Sequence, residues 1–90
     1  DKAKALKNVF DAINASGLKD LTLVNIKSLN NITMMYQNRL KLNIGTMSEI
    51  DYKLKAAAKI IEKENKAAPT EKGEIFLANT KNIYVSPEGN

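Results

Sequence analysis

The stretch Leu21-Thr22-Leu23-Val24-Asn25-Ile26-Lys27-Ser28-Leu29-Asn30-Asn31-Ile32-Thr33-Met34-Met35-Tyr36-Gln37-Asn38-Arg39-Leu40-Lys41-Leu42 decides the fold. Val24, Ile26, Leu29, Ile32, Met35, Tyr36, Leu40 and Leu42 make an apolar stripe wider than a single seam. Read this way, residues 22–42 form one amphipathic helix with a neighbour on each side. Asn30-Asn31 interrupts the stripe with poor helix formers, and β-branched Thr22, Val24, Ile26, Ile32 and Thr33 add to the tension. A break at that point replaces the single helix by two short ones, over 18–30 and 31–43.

The segments on either side have clearer punctuation. Ala3, Leu6, Val9, Phe10 and Ile13 recur at spacings of three and four, which predicts a first helix over residues 2–15. Ser16-Gly17 is its stop, because glycine supplies the left-handed conformation that closes a helix. Gly45 marks a second reversal, and Thr46-Met47-Ser48-Glu49 fits a capping box. A third helix then covers residues 48–67, with Ile50, Leu54, Ala57, Ala58 and Ile61 on one face. Ala68-Pro69 ends it. Beyond the connector 70–73, Glu74-Ile75-Phe76-Leu77-Ala78 and Ile83-Tyr84-Val85 are rich in strand formers. Asn79-Thr80-Lys81-Asn82 is the turn between them, so the pair reads as a β-hairpin followed by a tail, 86–90. The expected fold is mainly α: a three- to four-helix domain over residues 1–68, then connector, hairpin and tail over 69–90.

The 90 residues include no cysteine, no histidine and no tryptophan. The usual metal ligands, general base and thiol nucleophile are therefore missing. Glu62 and Glu64, like Glu49 and Asp51, stand two apart on an expected helix and point in different directions. Four scattered glycines make no phosphate-binding loop. Neither a catalytic site, a cofactor site, a metal site nor a small-molecule substrate is expected, and the chain does not read as an enzyme. With 43% hydrophobic and 27% charged residues the composition is that of one small globular domain. No apolar run is long enough to span a membrane, and no signal segment opens the chain, so the expected compartment is the cytoplasm. The chain starts at Asp1 rather than Met, as a fragment or processed product does.

Charge is uneven. The net +4 falls on residues 1–48, while 49–90 are balanced, and Arg39 is the only arginine. Lysine acts as a point charge, so contact with nucleic acid would track the phosphate backbone rather than bases.

Met34-Met35-Tyr36 is the densest soft apolar patch, and consecutive residues cannot all face one core. With Phe76 and Tyr84 these residues make the expected interface. The leading expectation is a non-catalytic helical interaction or oligomerisation module, of the sort that builds viral or phage assemblies. Its partner would be a second copy or another protein. The alternative is a winged-helix-like or DNA-packaging module that grips nucleic acid through Lys27, Asn38, Arg39, Lys41, Lys72 and Lys81.

Overall fold

The computed structural model describes residues 2–67 and 70–87. The expected helix stop at Ala68-Pro69 and the tail residues 88–90 lie outside them. Seven elements follow one another: α1 (Lys2–Ser16), β1 (Leu21–Asn25), β2 (Ile32–Tyr36), β3 (Leu40–Gly45), α2 (Ile50–Ala67), β4 (Gly73–Phe76) and β5 (Tyr84–Pro87). The five strands form one mixed sheet in sequential order, antiparallel throughout except for the parallel pair β3–β4. That parallel step is spanned by α2, since parallel neighbours need a long crossover.

The mainly α expectation is therefore overturned: the fold is α/β, two helices on a five-stranded sheet, and not a helical bundle. The error lies wholly within residues 22–42, which form three strands rather than a helix. Ile32, Met34 and Tyr36 are buried, and so are Leu40, Leu42 and Ile44; both series alternate with a period of two. Asn30-Asn31 does break the pattern, but in the loop between β1 and β2. Gln37 and Asn38 have φ of 51° and 57°, and the Arg39 N–H donates to the Tyr36 carbonyl at 3.0 Å. Two successive left-handed residues make the mirror-image turn whose twist suits a hairpin. A second clamp holds it: the Gln37 N–H donates to the Asp20 carbonyl at 3.0 Å, and Gln37 Nε2 donates to Asp20 Oδ2 at 3.2 Å.

Strand register aligns four rows that run across all five strands. Val24, Met34, Leu42, Ile75 and Val85 form one, and Leu21, Tyr36, Leu40, Gly73 and Pro87 another. These two rows, with Ile32 of β2 and Ile44 of β3, face the core, to which Val9, Ala12 and Ile13 of α1 and Leu54, Ala57 and Ile61 of α2 also belong. The other two rows, Leu23-Met35-Lys41-Glu74-Ser86 and Asn25-Thr33-Asn43-Phe76-Tyr84, lie on the opposite face. Both helices therefore cover one face of the sheet and leave the other open.

The helix boundary at Gly17 agrees with expectation: Gly17 follows α1 with φ of 82°. Gly45 ends β3 with φ of 78°, and a Cβ there would sit 2.8 Å from that of Ala78. The capping box does not form as expected. Glu49 is itself left-handed (φ 56°), α2 begins after it, and its Oε2 accepts a hydrogen bond from Thr80 Oγ1 at 2.7 Å. This contact ties the β3–α2 turn to the β4–β5 loop. The expected hairpin is present as β4–β5, and β4 joins it to the same sheet as β3.

Candidate functional site

The open face is polar in its middle and apolar at its margins. On β3 and β4 it carries Lys41, Asn43 and Glu74, with Asn43 Nδ2 donating to Glu74 Oε2 at 3.3 Å. Toward the β5 margin, the rings of Phe76 and Tyr84 stack with centroids 4.7 Å apart and planes 17° from parallel. Phe76 is half-buried, whereas Tyr84 keeps 48% of its surface exposed. Toward the β1 margin stand Leu23, 56% exposed, and Met35, half-buried beside it. Strand pairing alone makes this pattern, because residues i and i+2 share a face and aligned neighbours extend the row.

Of the expected interface residues, the structure brings Phe76 and Tyr84 together and sets Met35 on the same face. Met34 and Tyr36 belong to the core. A strand reading of Ile32-Thr33-Met34-Met35-Tyr36 separates Met35 from its neighbours in one step, since Met34 and Tyr36 lie on the other side of the pleat. Tyr36 has a further task. Its hydroxyl accepts from Asn65 Nδ2 at 3.0 Å, and the Arg39 guanidinium lies over its ring at 5.5 Å.

Arg39 is buried and its donors are engaged internally. Nε donates to Gln37 Oε1 at 3.2 Å, Nη1 to the Glu71 carbonyl at 3.0 Å, and Nη2 to Asn65 Oδ1. The only arginine thus ties the β2–β3 turn to α2 and to the connector before β4. Asn38 is likewise engaged, its Oδ1 accepting from Thr22 Oγ1 at 2.7 Å. Asn38, Arg39, Lys41 and Lys72 do gather, around a shallow concavity of about 370 Å³ that Glu74, Ser86 and Pro87 also line. Lys27 and Lys81 stand at the opposite end of the strands, beyond β1 and β4 respectively. The six residues of the nucleic-acid reading do not form one continuous face.

Lys53 is, with Arg39, one of two buried cations among the described residues, and only 1% of its surface is exposed. Its Nζ donates to the Thr46 carbonyl at 3.0 Å. Burial pushes the ammonium below the ordinary lysine value, and the Glu49 carboxylate nearby opposes that shift. The contact fastens the turn that opens α2. Among the described residues no three carboxylates gather to hold a metal ion, and no helix is long and apolar enough to cross a membrane.

Leu6 and Phe10, on the apolar stripe of α1, are expected to be buried in the domain or in an interface; within the domain they are 40% and 46% exposed. Val9, Ala12 and Ile13 carry the buried side of α1, and Leu6 and Phe10 stand outside it. Leu23 was not singled out at all. The usable signal was that Leu21, Leu23 and Val24 set apolar groups on both sides of one short strand.

Comparison with protein-family models, with characterised proteins and with solved structures gives no significant match.

Proposed function

We propose that this chain is a non-catalytic protein-interaction module that accepts an extended segment of a partner protein along the outer edge of β5. The observation that carries the reading is the stacked Phe76–Tyr84 pair beside that edge. An edge strand presents unpaired backbone donors and acceptors, and an added strand satisfies them while side-chain contacts give selectivity. No strand lies beyond β5 among the described residues. Pro87 has no N–H, so pairing would run along residues 84–86. The exposed ring of Tyr84 supplies an anchor of the type common at protein interfaces. The helical stripe first expected to carry self-association does not exist, and this edge takes its place.

The test uses peptides selected from a random display library against the immobilised chain. Binders should shift the amide signals of residues 84–87 and the ring signals of Phe76 and Tyr84, and Tyr84→Asp should abolish their binding. Light scattering with and without a generic DNA duplex examines the rival reading in the same preparation. Peptides that never map to β5, or a stable complex with the duplex at physiological salt, would overturn the proposal.

A further inference from the structure

At the end of the sheet that carries the β2–β3 turn, the open face has a feature that strand addition at β5 does not use. The concavity of about 370 Å³ there brings together Arg39 of the turn, Lys41 of β3 and Lys72 of the connector before β4. Sites for small molecules commonly span roughly 300–1,000 Å³.

Arg39 is a buried charge, and such groups are normally paired with an opposite one. The acceptors of its guanidinium are all neutral: the Gln37 side-chain oxygen, the Glu71 backbone carbonyl and the Asn65 side-chain oxygen. Among the described residues no carboxylate lies within ion-pair distance of it. A guanidinium has five N–H groups. Its three bonds leave one N–H on each Nη without an acceptor.

The other donors around the concavity are also unanswered. The ammonium groups of Lys41 and Lys72 make no ion pair or hydrogen bond among the described residues. Asn38 has its amide N–H groups to offer, because Thr22 engages its Oδ1. Glu74 is the one carboxylate in the lining. Its Oε2 accepts from Asn43 Nδ2 at 3.3 Å, toward the Phe76–Tyr84 pair, and it forms no ion pair with either lysine. Glu64 and Glu71 stand near Lys72 on the helix-covered side, again without an ion pair to it.

Charge and donor count select the ligand. Arg39, Lys41 and Lys72 against Glu74 leave +2 in the lining. A phosphate monoester carries about −1.5 to −2 near neutral pH and three acceptor oxygens, which suits a site rich in donors and poor in acceptors. A carboxylate brings half the charge and two oxygens. Arginine and lysine are both established partners of phosphate, the first as a fork and the second as a point charge. A nucleic-acid backbone needs a track of cations, and Lys27 and Lys81 stand at the opposite end of the strands.

We infer that this concavity binds the phosphate group of a small phosphorylated molecule, held by Lys41, Lys72 and the remaining N–H groups of Arg39. The site needs no added strand, so it holds or fails apart from the function proposed above.

The isotope-labelled chain is titrated with inorganic phosphate and with glycerol phosphate at constant ionic strength, with acetate as the control. Both phosphates should give saturable shifts at the amides of residues 38–41, 72–74 and 86 and at the Arg39 guanidinium. Both should bind at least tenfold more tightly than acetate. Lys41→Gln and Lys72→Gln, at exposed positions, should each weaken binding at least fivefold. Lys55→Gln removes the same charge from an exposed position on α2 and should leave binding unchanged, which separates a site from general attraction to a basic chain. Glu74→Gln can still accept from Asn43 and should tighten binding. Tyr84→Ser, which removes the anchor ring beside β5, should bind phosphate as the wild type does. No saturable shift at tens of millimolar phosphate, a response to acetate as strong as to phosphate, or equal losses from Lys55→Gln and Lys41→Gln would overturn the inference. So would a single-stranded oligothymidylate that binds more tightly than glycerol phosphate and shifts Lys27 and Lys81 as well, because a nucleic-acid backbone would then be the ligand.

Discussion

The guanidinium of Arg39 lies 5.5 Å above the ring of Tyr36, and Asn65 bonds to both residues, accepting from Arg39 and donating to the Tyr36 hydroxyl. A turn residue, a core strand residue and a residue near the end of α2 thus form one polar knot at the edge of the core. Breaking it leaves buried donors or acceptors without partners. Arg39→Ala is expected to cost about 2–4 kcal/mol, and Arg39→Lys a similar amount, because an ammonium cannot fork to several acceptors. Urea unfolding measures both. A loss below about 0.5 kcal/mol for Arg39→Ala would show the knot to be incidental, since that is the range of ordinary surface changes.

Adjacent methionines offer a direct test of strand alternation. Met34 faces the core and is almost wholly buried, whereas Met35 lies half-buried on the open face. Met34→Ala should cost about 2–5 kcal/mol, as for other core truncations. Met35→Ala should cost less than about 1 kcal/mol, in line with partial burial. Equal losses in thermal or urea unfolding would contradict the register of β2.

Local signals sufficed where one physical rule acted alone. The period of α1 and the glycine after it were legible, as were α2 and the β4–β5 hairpin, because each combined a clear spacing with clear turn chemistry. Residues 21–42 were misread because two patterns coexist there. Leu21, Leu23 and Val24 put apolar groups on both faces of a strand, as do Met34 and Met35, so the alternation of Ile32, Met34 and Tyr36 was diluted into a stripe that also fits a helix. The turn between β2 and β3 uses Gln37 in a left-handed conformation, where glycine or asparagine is the usual marker. The candidate site was less legible still. Phe76 and Tyr84 could be named as interface residues from the hairpin alone. Leu23 and Leu6 converge only through β1 register and the placement of α1, which no local pattern encodes.

Gly45 and Gly17 make a matched pair for separating backbone strain from steric exclusion. Both have positive φ, but a Cβ on Gly17 would meet nothing within 4 Å, while one on Gly45 would meet Ala78 Cβ at 2.8 Å. Gly17→Ala should cost about 1 kcal/mol, from the left-handed backbone alone. Gly45→Ala should cost about 1–3 kcal/mol more, because the Ala78 backbone must also move. Adding Ala78→Gly to Gly45→Ala should recover the excess only in part, since a glycine at position 78 brings its own entropic cost. Equal losses for the two single variants in urea unfolding would show that the β3–α2 turn has room the contact distance denies.

Lys53 makes stability depend on pH in the alkaline range. Its folded value lies below the ordinary lysine value because burial disfavours the ammonium more than Glu49 supports it. Between the folded and unfolded values the unfolded chain binds more protons, so unfolding free energy rises with pH across that window. Below the window the charge is buried at a cost, partly offset by the hydrogen bond to the Thr46 carbonyl. Lys53→Met keeps much of the side-chain volume and removes the charge. At neutral pH it should be neutral to stabilising by about 1–2 kcal/mol, as when other buried charges give way to apolar groups. The wild type should then gain on the variant as pH rises toward the ordinary lysine value. Urea midpoints of the two chains, compared at neutral pH and near pH 10, measure that gain, and the comparison cancels the titration of the exposed lysines. A difference between them that stays constant with pH, or widens against the wild type, would mean that Lys53 is solvated in solution and that the β3–α2 turn is held by Thr46, Glu49 and Thr80 without it.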